Sequence, residues 1–278
     1  MDTTTSSTTP VAGISGYWLK MIAVITMLID HTAASILEQM LQIMPSWSPI
    51  TMDNWQNWYR LDIVLRGIGR MAFPIYCFLL VEGFTYTHSK AKYATRLFIF
   101  ALISEIPFDV ALNKSIIDMH YNNVFFTLFI GLITIWVSDY VLGQMRNKLS
   151  GKMSAAMLTV MNLIAVFVIL LAGCVLAEAV FRCDYGASGI CAIYIMYMFR
   201  NQRMSGFATA VCMLGVLSGS LEFLALFMLI PMHFYNGTRG KQHKYFFYAF
   251  YPVHLLILAI ICPAIGLGVQ LSGLCRLA

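Results

Sequence analysis

The chain has 278 residues, 59% of them hydrophobic and only 11% charged, with a formal net charge of +5 and a mean hydropathy of +0.74. Soluble domains carry about 25% charged residues, so this balance excludes an ordinary soluble fold and points to a polytopic membrane protein. The apolar runs are continuous, whereas a transmembrane barrel needs alternating segments of roughly ten residues. The expectation is therefore an all-α bundle.

Residues 1–16 begin Met1-Asp2-Thr3-Thr4-Thr5-Ser6-Ser7-Thr8-Thr9-Pro10. They read as a polar, disordered tail that lacks the basic start of a signal peptide. The remainder, 17–278, reads as one integral-membrane domain, with no stretch poor enough in apolar residues to form a soluble one. Spans of about 20 apolar residues are expected near 18–40, 60–88, 92–112, 122–143, 154–179, 186–200, 204–218, 220–235 and 245–267. That makes nine helices, within a range of eight to ten. The sixth to eighth are short, as in broken or re-entrant helices.

The distribution of cations sets the orientation, because cytoplasmic loops collect Lys and Arg. With the N-terminus inside, one face holds Lys20, Lys90, Lys92, Arg96, Arg146, Lys148, Lys152, Arg200, Arg203, Arg239, Lys241 and Lys244. The other face holds Arg60, Lys114, Arg182 and Arg276, and Arg66 and Arg70 stay within the membrane. The asymmetry implies a cytoplasmic N-terminus and an outer C-terminus, and the expected location is a bacterial-type cytoplasmic membrane.

In the first span, Asp30-His31 lies in an otherwise apolar run. Ionisable groups at such depth are costly and mark functional sites by default, and histidine exchanges protons near neutral pH. Lys20 and His31 are eleven residues apart, close to three helical turns, and share a face. His31 lies roughly 16 Å above Lys20 at 1.5 Å per residue. Asp30 is turned about 100° away and is expected to meet a neighbouring helix. The loop from Trp47 to Tyr59 is rich in aromatics, as in an interfacial belt or an outer lid.

The second span carries Arg66-Gly67-Ile68-Gly69-Arg70, with both arginines on one face. Two buried guanidiniums repel unless they hold anions, which Arg grips bidentately. The choices are an anionic ligand or pairing with Asp62, Glu105 or Asp109. Gly67 and Gly69 permit close approach by a ligand or another helix. In the third span Glu105 and Asp109 share a face, and Pro107 should kink the helix.

Asn122 and Asn123 enter the fourth span. Glu82, Glu178, Asp184-Tyr185 and Glu222 add polar points, and His254 lies at a depth comparable with His31. The seven cysteines lack metal spacing and read as small hydrophobes, so no metal site is expected.

These residues resemble a known family. Lys20-x10-His31 and Arg66-x3-Arg70 are similar to motifs of the membrane acyltransferase-3 superfamily. The resemblance to the TraX family, named for a conjugative-pilin acetylase, is closer still. It runs through Leu19-Lys20, Asp30-His31, Gly69 to Pro74, Glu82-Gly83, Ser104 to Asp109, Asn123 to Leu128 and Asp184-Tyr185-Gly186. It continues through Tyr235-Asn236-Gly237 and ends on Lys244 to Leu255, its most specific stretch. It implies transfer of an acetyl group from cytoplasmic acetyl-CoA to a peptide N-terminus or a glycan hydroxyl.

On that implication His31 is the general base, with Asp30 beside it. Arg66 or Arg70 stabilises the oxyanion, and Glu105 orients the arginines or the acceptor. Lys20, Arg70, Lys90, Lys92, Arg96, Arg239, Lys241, Tyr251 and His254 hold the cosubstrate. Asp109, Asn122, Asn123, Asp184 and Tyr185 meet the acceptor. The expected surroundings are the lipid bilayer and the acceptor, without nucleic acid, and a homodimer is an open possibility. The rival readings are a proton-coupled transporter relaying through His31, Glu105 and His254, and an assembly factor without catalysis.

Overall fold

A computed structural model describes residues 13–118, 120–149, 151–241 and 243–267. Residues 1–12, expected to form a disordered tail, and Cys275 and Arg276 lie outside the described residues. Nine helical bodies follow one another and no strand is present among the described residues. They are α1 (Gly16–Ile43), α2 (Trp55–Tyr86), α3 (Lys90–Phe108, continued by a wide turn Asp109–Asn113), α4 (Val124–Leu149) and α5 (Ala155–Val180). Then come α6 (Gly186–Met198), α7 (Arg203–Leu217), α8 (Ser220–His233) and α9 (Lys244–Ala264). Five of them (α1, α2, α4, α5 and α9) are long and apolar enough to cross a membrane.

The expected shortness of the sixth to eighth helices holds, and α8 winds as a 3-10 helix over Ser220–Met228 before a single α turn. Two boundaries differ from expectation. The second helix starts at Trp55 rather than 60, because the aromatic loop is itself part of a small core. The Trp55 indole N–H donates to the Leu41 carbonyl at 3.1 Å, and Trp55 and Trp58 pack on Leu37, Leu41 and Ile50. Neither Trp55 nor Trp58 lines the two cavities described below. The same helix is also interrupted at Arg70–Met71, which separates Trp55–Gly69 from Ala72–Tyr86.

The centre is built from α1, α2, α3, α4, α6 and α9. α2 packs on α1 and α6, α4 packs on α3, α5 and α6, and α9 crosses α3 and α1. Leu19, Ala23, Phe73, Ile75, Leu132, Ile193 and Leu255 are among its buried apolar side chains. α5 sits at the perimeter with Leu163 and Phe167 exposed, as befits a helix facing lipid.

Glycines set the closest approaches. A Cβ on Gly69 would overlap the Asp30 side chain, and one on Gly67 would overlap Leu224. The room that Gly67 and Gly69 leave is thus filled by helices. Pro107 does not stop α3; the helix runs on to Phe108 and then widens into a π turn over Asp109–Asn113. A second such turn, Ala33–Leu37, directly follows His31 and Thr32. Single π turns inside helices recur at functional positions.

Candidate functional site

Two cavities open along α1. The first, of about 610 Å³, lies at the Gly16–Lys20 end and is lined by Lys20, Glu82, Tyr93, Arg96, Arg239, Phe247 and Tyr248, among others. The second, of about 270 Å³, lies toward Glu38 and is lined by Asp30, His31, Glu38, Arg66, Arg70, Lys114, Tyr121, Asp184 and Tyr185, among others. From Gly16 to Glu38 is about 33 Å along a helix axis, close to the hydrocarbon thickness of a bilayer. Four residues line both cavities, namely Met27, Tyr76, Val124 and Tyr251. They form the partition.

His31 stands one turn beyond Met27 on the same face of α1. Its Nδ1 is 2.6 Å from Nε2 of His254, and the two rings stack with centroids 4.9 Å apart. The His254 Nδ1 in turn lies 2.7 Å from the Phe250 carbonyl oxygen. A carbonyl only accepts, so His254 Nδ1 carries the proton and its Nε2 is an acceptor in the neutral ring. His31 Nδ1 must then donate. This leaves the His31 Nε2 lone pair without a partner among the described residues, on a side chain that lines the second cavity. His254, expected on the cosubstrate, lines neither cavity, and its bond to His31 Nδ1 sets the tautomer of that ring.

Asp30 turns away from His31 as its helical position requires. Its Oδ1 accepts from Arg66 Nη1 at 2.7 Å, with side chains 16% and 24% exposed. The Arg70 Nη1 meets Glu222 Oε1 at 3.4 Å and donates to the Tyr185 hydroxyl at 3.3 Å. The expected partners Asp62, Glu105 and Asp109 are therefore replaced. Asp30 and Glu222 are brought to the arginines by the α1–α2 and α2–α8 packing, while local bonds occupy the two acids of α3. Glu105 accepts from Asn123, and Asp109 accepts from Asn113 at 2.9 Å and from the Asp118 backbone N–H at 2.8 Å. Each arginine uses one Nη for its carboxylate, and both line the second cavity.

The other expected residues divide. Asp184 and Tyr185 line the second cavity, with the Tyr121 hydroxyl donating to Asp184 at 2.7 Å and Tyr185 stacked on Phe73 at 3.8 Å. Tyr185 holds φ +63 and Gly186 φ +37, a tight left-handed turn that carries the carboxylate and phenol inward. Asn122 and Asn123 line neither cavity. Asn122 binds the Phe181 carbonyl, and its own carbonyl accepts from Asp184 N at 2.8 Å. Asn123 is spent on Glu105 and on the Ala101 carbonyl.

Of the residues expected on the cosubstrate, Lys20, Arg96, Arg239 and Tyr251 line the first cavity, whereas Lys90, Lys92 and Lys241 do not. Lys90 is tied to Asp139 at 2.7 Å and lies over the Phe84 ring. Lys20, Arg96 and Arg239 form no ion pair among the described residues. Lys20 lies over Phe247 at 5.3 Å, and Arg239 donates to the Tyr86 carbonyl at 3.0 Å. Arg239 is positioned by the turn at Asn236-Gly237, where Gly237 takes φ +75 and the chain pairs with Ile14 through bonds of 2.7 and 2.9 Å.

A model of the family described as TraX protein matches residues 15–262. The chain belongs to the TraX family. A curated relative in Dichelobacter nodosus, named probable fimbrial assembly protein FimC of serogroup H1, is 25% identical over 275 residues, covering 90% of this chain and 95% of that protein. No solved structure matches. For this TraX-family chain the matched span takes in both cavities, from Gly16 to Tyr251.

Sequence reasoning missed Tyr76, Tyr121, Met27 and Val124 as cavity residues, and named Glu222 without giving it a partner. Glu222 carried a signal, an acid in an apolar segment of only fourteen residues. The other four are apolar or aromatic and carry none.

Proposed function

We propose that this protein is an acetyltransferase that carries an acetyl group from cytoplasmic acetyl-CoA, through the membrane partition, to an amine or hydroxyl of a fimbrial or pilin-type acceptor. The observation that carries the reading is a pair of cavities that share one wall, with His31 lining the second cavity and its Nε2 left free as a base. The first cavity falls within the 300–1,000 Å³ typical of cofactor sites. Its three cations without carboxylate partners, Lys20, Arg96 and Arg239, suit phosphates, and its aromatic wall suits the adenine and pantetheine portions. N-terminus-inside orientation places that cavity on the cytoplasmic side.

The chain's own residues then act in order. Lys20, Arg96 and Arg239 hold the cosubstrate. The thioester end reaches the partition. In the second cavity Arg66, Arg70, Asp184 and Tyr185 orient the acceptor. His31 Nε2 takes the acceptor proton as the nucleophile adds to the thioester carbon, a role that typically contributes 10²–10⁴-fold. His31 returns the proton to the departing thiolate. The bond to His254 Nε2 keeps His31 in the tautomer that makes this possible.

The fimbrial name of the Dichelobacter relative and the TraX family support an acceptor from a surface filament. For the transporter alternative, Glu105 is bonded to Asn123 and lines neither cavity, whereas His31 is bonded to His254, which favours the transferase reading. The test is purified protein in detergent with CoA and acetyl-CoA. Thermal stabilisation by CoA and acceptor-dependent thiol release are expected; absence of CoA binding would leave the assembly-factor reading in its place.

A further inference from the structure

The partition between the cavities is where the reacting carbonyl must sit if the chain transfers acetyl groups, and this inference rests on that reading. Three of the four partition residues offer that carbonyl little. Met27 and Val124 are apolar, and the Tyr251 oxygen already faces the Val124 backbone N–H. Tyr251 also lies edge-on to His31, with centroids 5.7 Å apart, and to Phe125 at 5.0 Å. Tyr76 differs. It is half-buried, it lines both cavities, and its hydroxyl has no hydrogen-bond partner among the described residues.

The hydroxyl is open to the cavities rather than sealed in the core, so it is free to donate to a carbonyl that enters them. The arginines named for oxyanion work already hold Asp30 and Glu222, and neither reaches the first cavity.

We propose that the Tyr76 hydroxyl is the oxyanion donor, bonding the thioester carbonyl oxygen as the acyl end of acetyl-CoA enters the partition. The acceptor nitrogen or oxygen forms a bond to the carbonyl carbon and loses its proton to His31 Nε2. The carbonyl π pair moves onto the oxygen, where the Tyr76 O–H holds it. The C=O bond then re-forms, the C–S bond breaks with its electron pair on sulfur, and the thiolate takes the proton from His31. An acetylated acceptor and CoA thiol leave. Tyr76 stays protonated throughout, so its part is electrostatic, which is the larger share of many such catalyses.

The experiment is Tyr76→Phe in the full-length protein, which removes one oxygen and no recorded bond. Two readouts are taken. In the first, kcat for acetyl-CoA falls about 10²-fold, as for the loss of one oxyanion donor, while KM for acetyl-CoA changes little. In the second, binding of CoA is unchanged, whereas binding of acetyl-dethia-CoA, a ketone analogue with methylene in place of sulfur, weakens. A Tyr76→Phe protein with undiminished kcat and equal affinity for the ketone would overturn the assignment of Tyr76 and leave acetyl transfer standing. A wild-type protein that neither binds CoA nor consumes acetyl-CoA would instead overturn the reading on which the assignment rests.

Discussion

Replacing His254 probes the histidine pair most sharply. His254→Phe keeps an aromatic ring of similar outline in a site that is 4% exposed and packed on Phe250 and Tyr251. It removes the acceptor that lies 2.6 Å from His31 Nδ1. Two consequences add. Two hydrogen bonds go, one to His31 Nδ1 and one to the Phe250 carbonyl, each worth about 1 kcal/mol net. The free imidazole can also place its proton on Nε2, where it is no longer a base; in a serine-protease triad the corresponding tautomer error costs about 10⁴-fold.

Because His254 is a neutral partner rather than a carboxylate, we expect a smaller loss of about 10²-fold in kcat, or about 2.7 kcal/mol. KM for acetyl-CoA should stay within about twofold, since His254 lines neither cavity. His254→Gln restores an acceptor oxygen and should recover most of the loss. The assay is steady-state thiol release with saturating acceptor, run beside a thermal unfolding scan that controls for folding. A rise in KM with kcat intact would place His254 on the cosubstrate and refute the tautomer reasoning.

Three further outcomes follow from the same geometry. Lys20→Ala and Arg239→Ala should each weaken CoA binding by calorimetry about tenfold, the scale of one charge-assisted bond, with kcat preserved. Lys90→Ala should not, because Lys90 is engaged with Asp139. Asp30→Asn leaves Arg66 half-buried without its carboxylate; breaking buried pairs costs 3–5 kcal/mol, and the 16% and 24% exposure of this pair reduces that to about 2 kcal/mol, read as a fall in Tm.

Much of the fold was legible because bilayer helices announce themselves by length and apolarity. Nine helices, the short sixth to eighth and the rotation of Asp30 away from His31 all follow from the chain alone. So does the common depth of His31 and His254, which the structure brings into contact. The start at Trp55 was hidden because tryptophans at an interface look alike whether they cap a helix or hang in a loop.

The partners of the arginines were hidden for a different reason. Glu222 is 152 residues from Arg70, and no spacing rule connects them, whereas Glu105 and Asp109 share a face yet are consumed by Asn123, Asn113 and the Asp118 amide. Tyr76 carried no mark at all. A tyrosine in an apolar helix is ordinary until its hydroxyl is found to lack a partner at the wall between two cavities.

The central claim is that His31 is the base for acetyl transfer, and His31→Ala tests it most directly. Wild-type and variant proteins, matched for thermal unfolding and for CoA affinity, are given acetyl-CoA and a peptide with a free N-terminal amine, and acceptor-dependent thiol release is followed. The wild-type protein should turn over, and the variant should fall by at least 10²-fold. Equal release by both proteins would contradict the account.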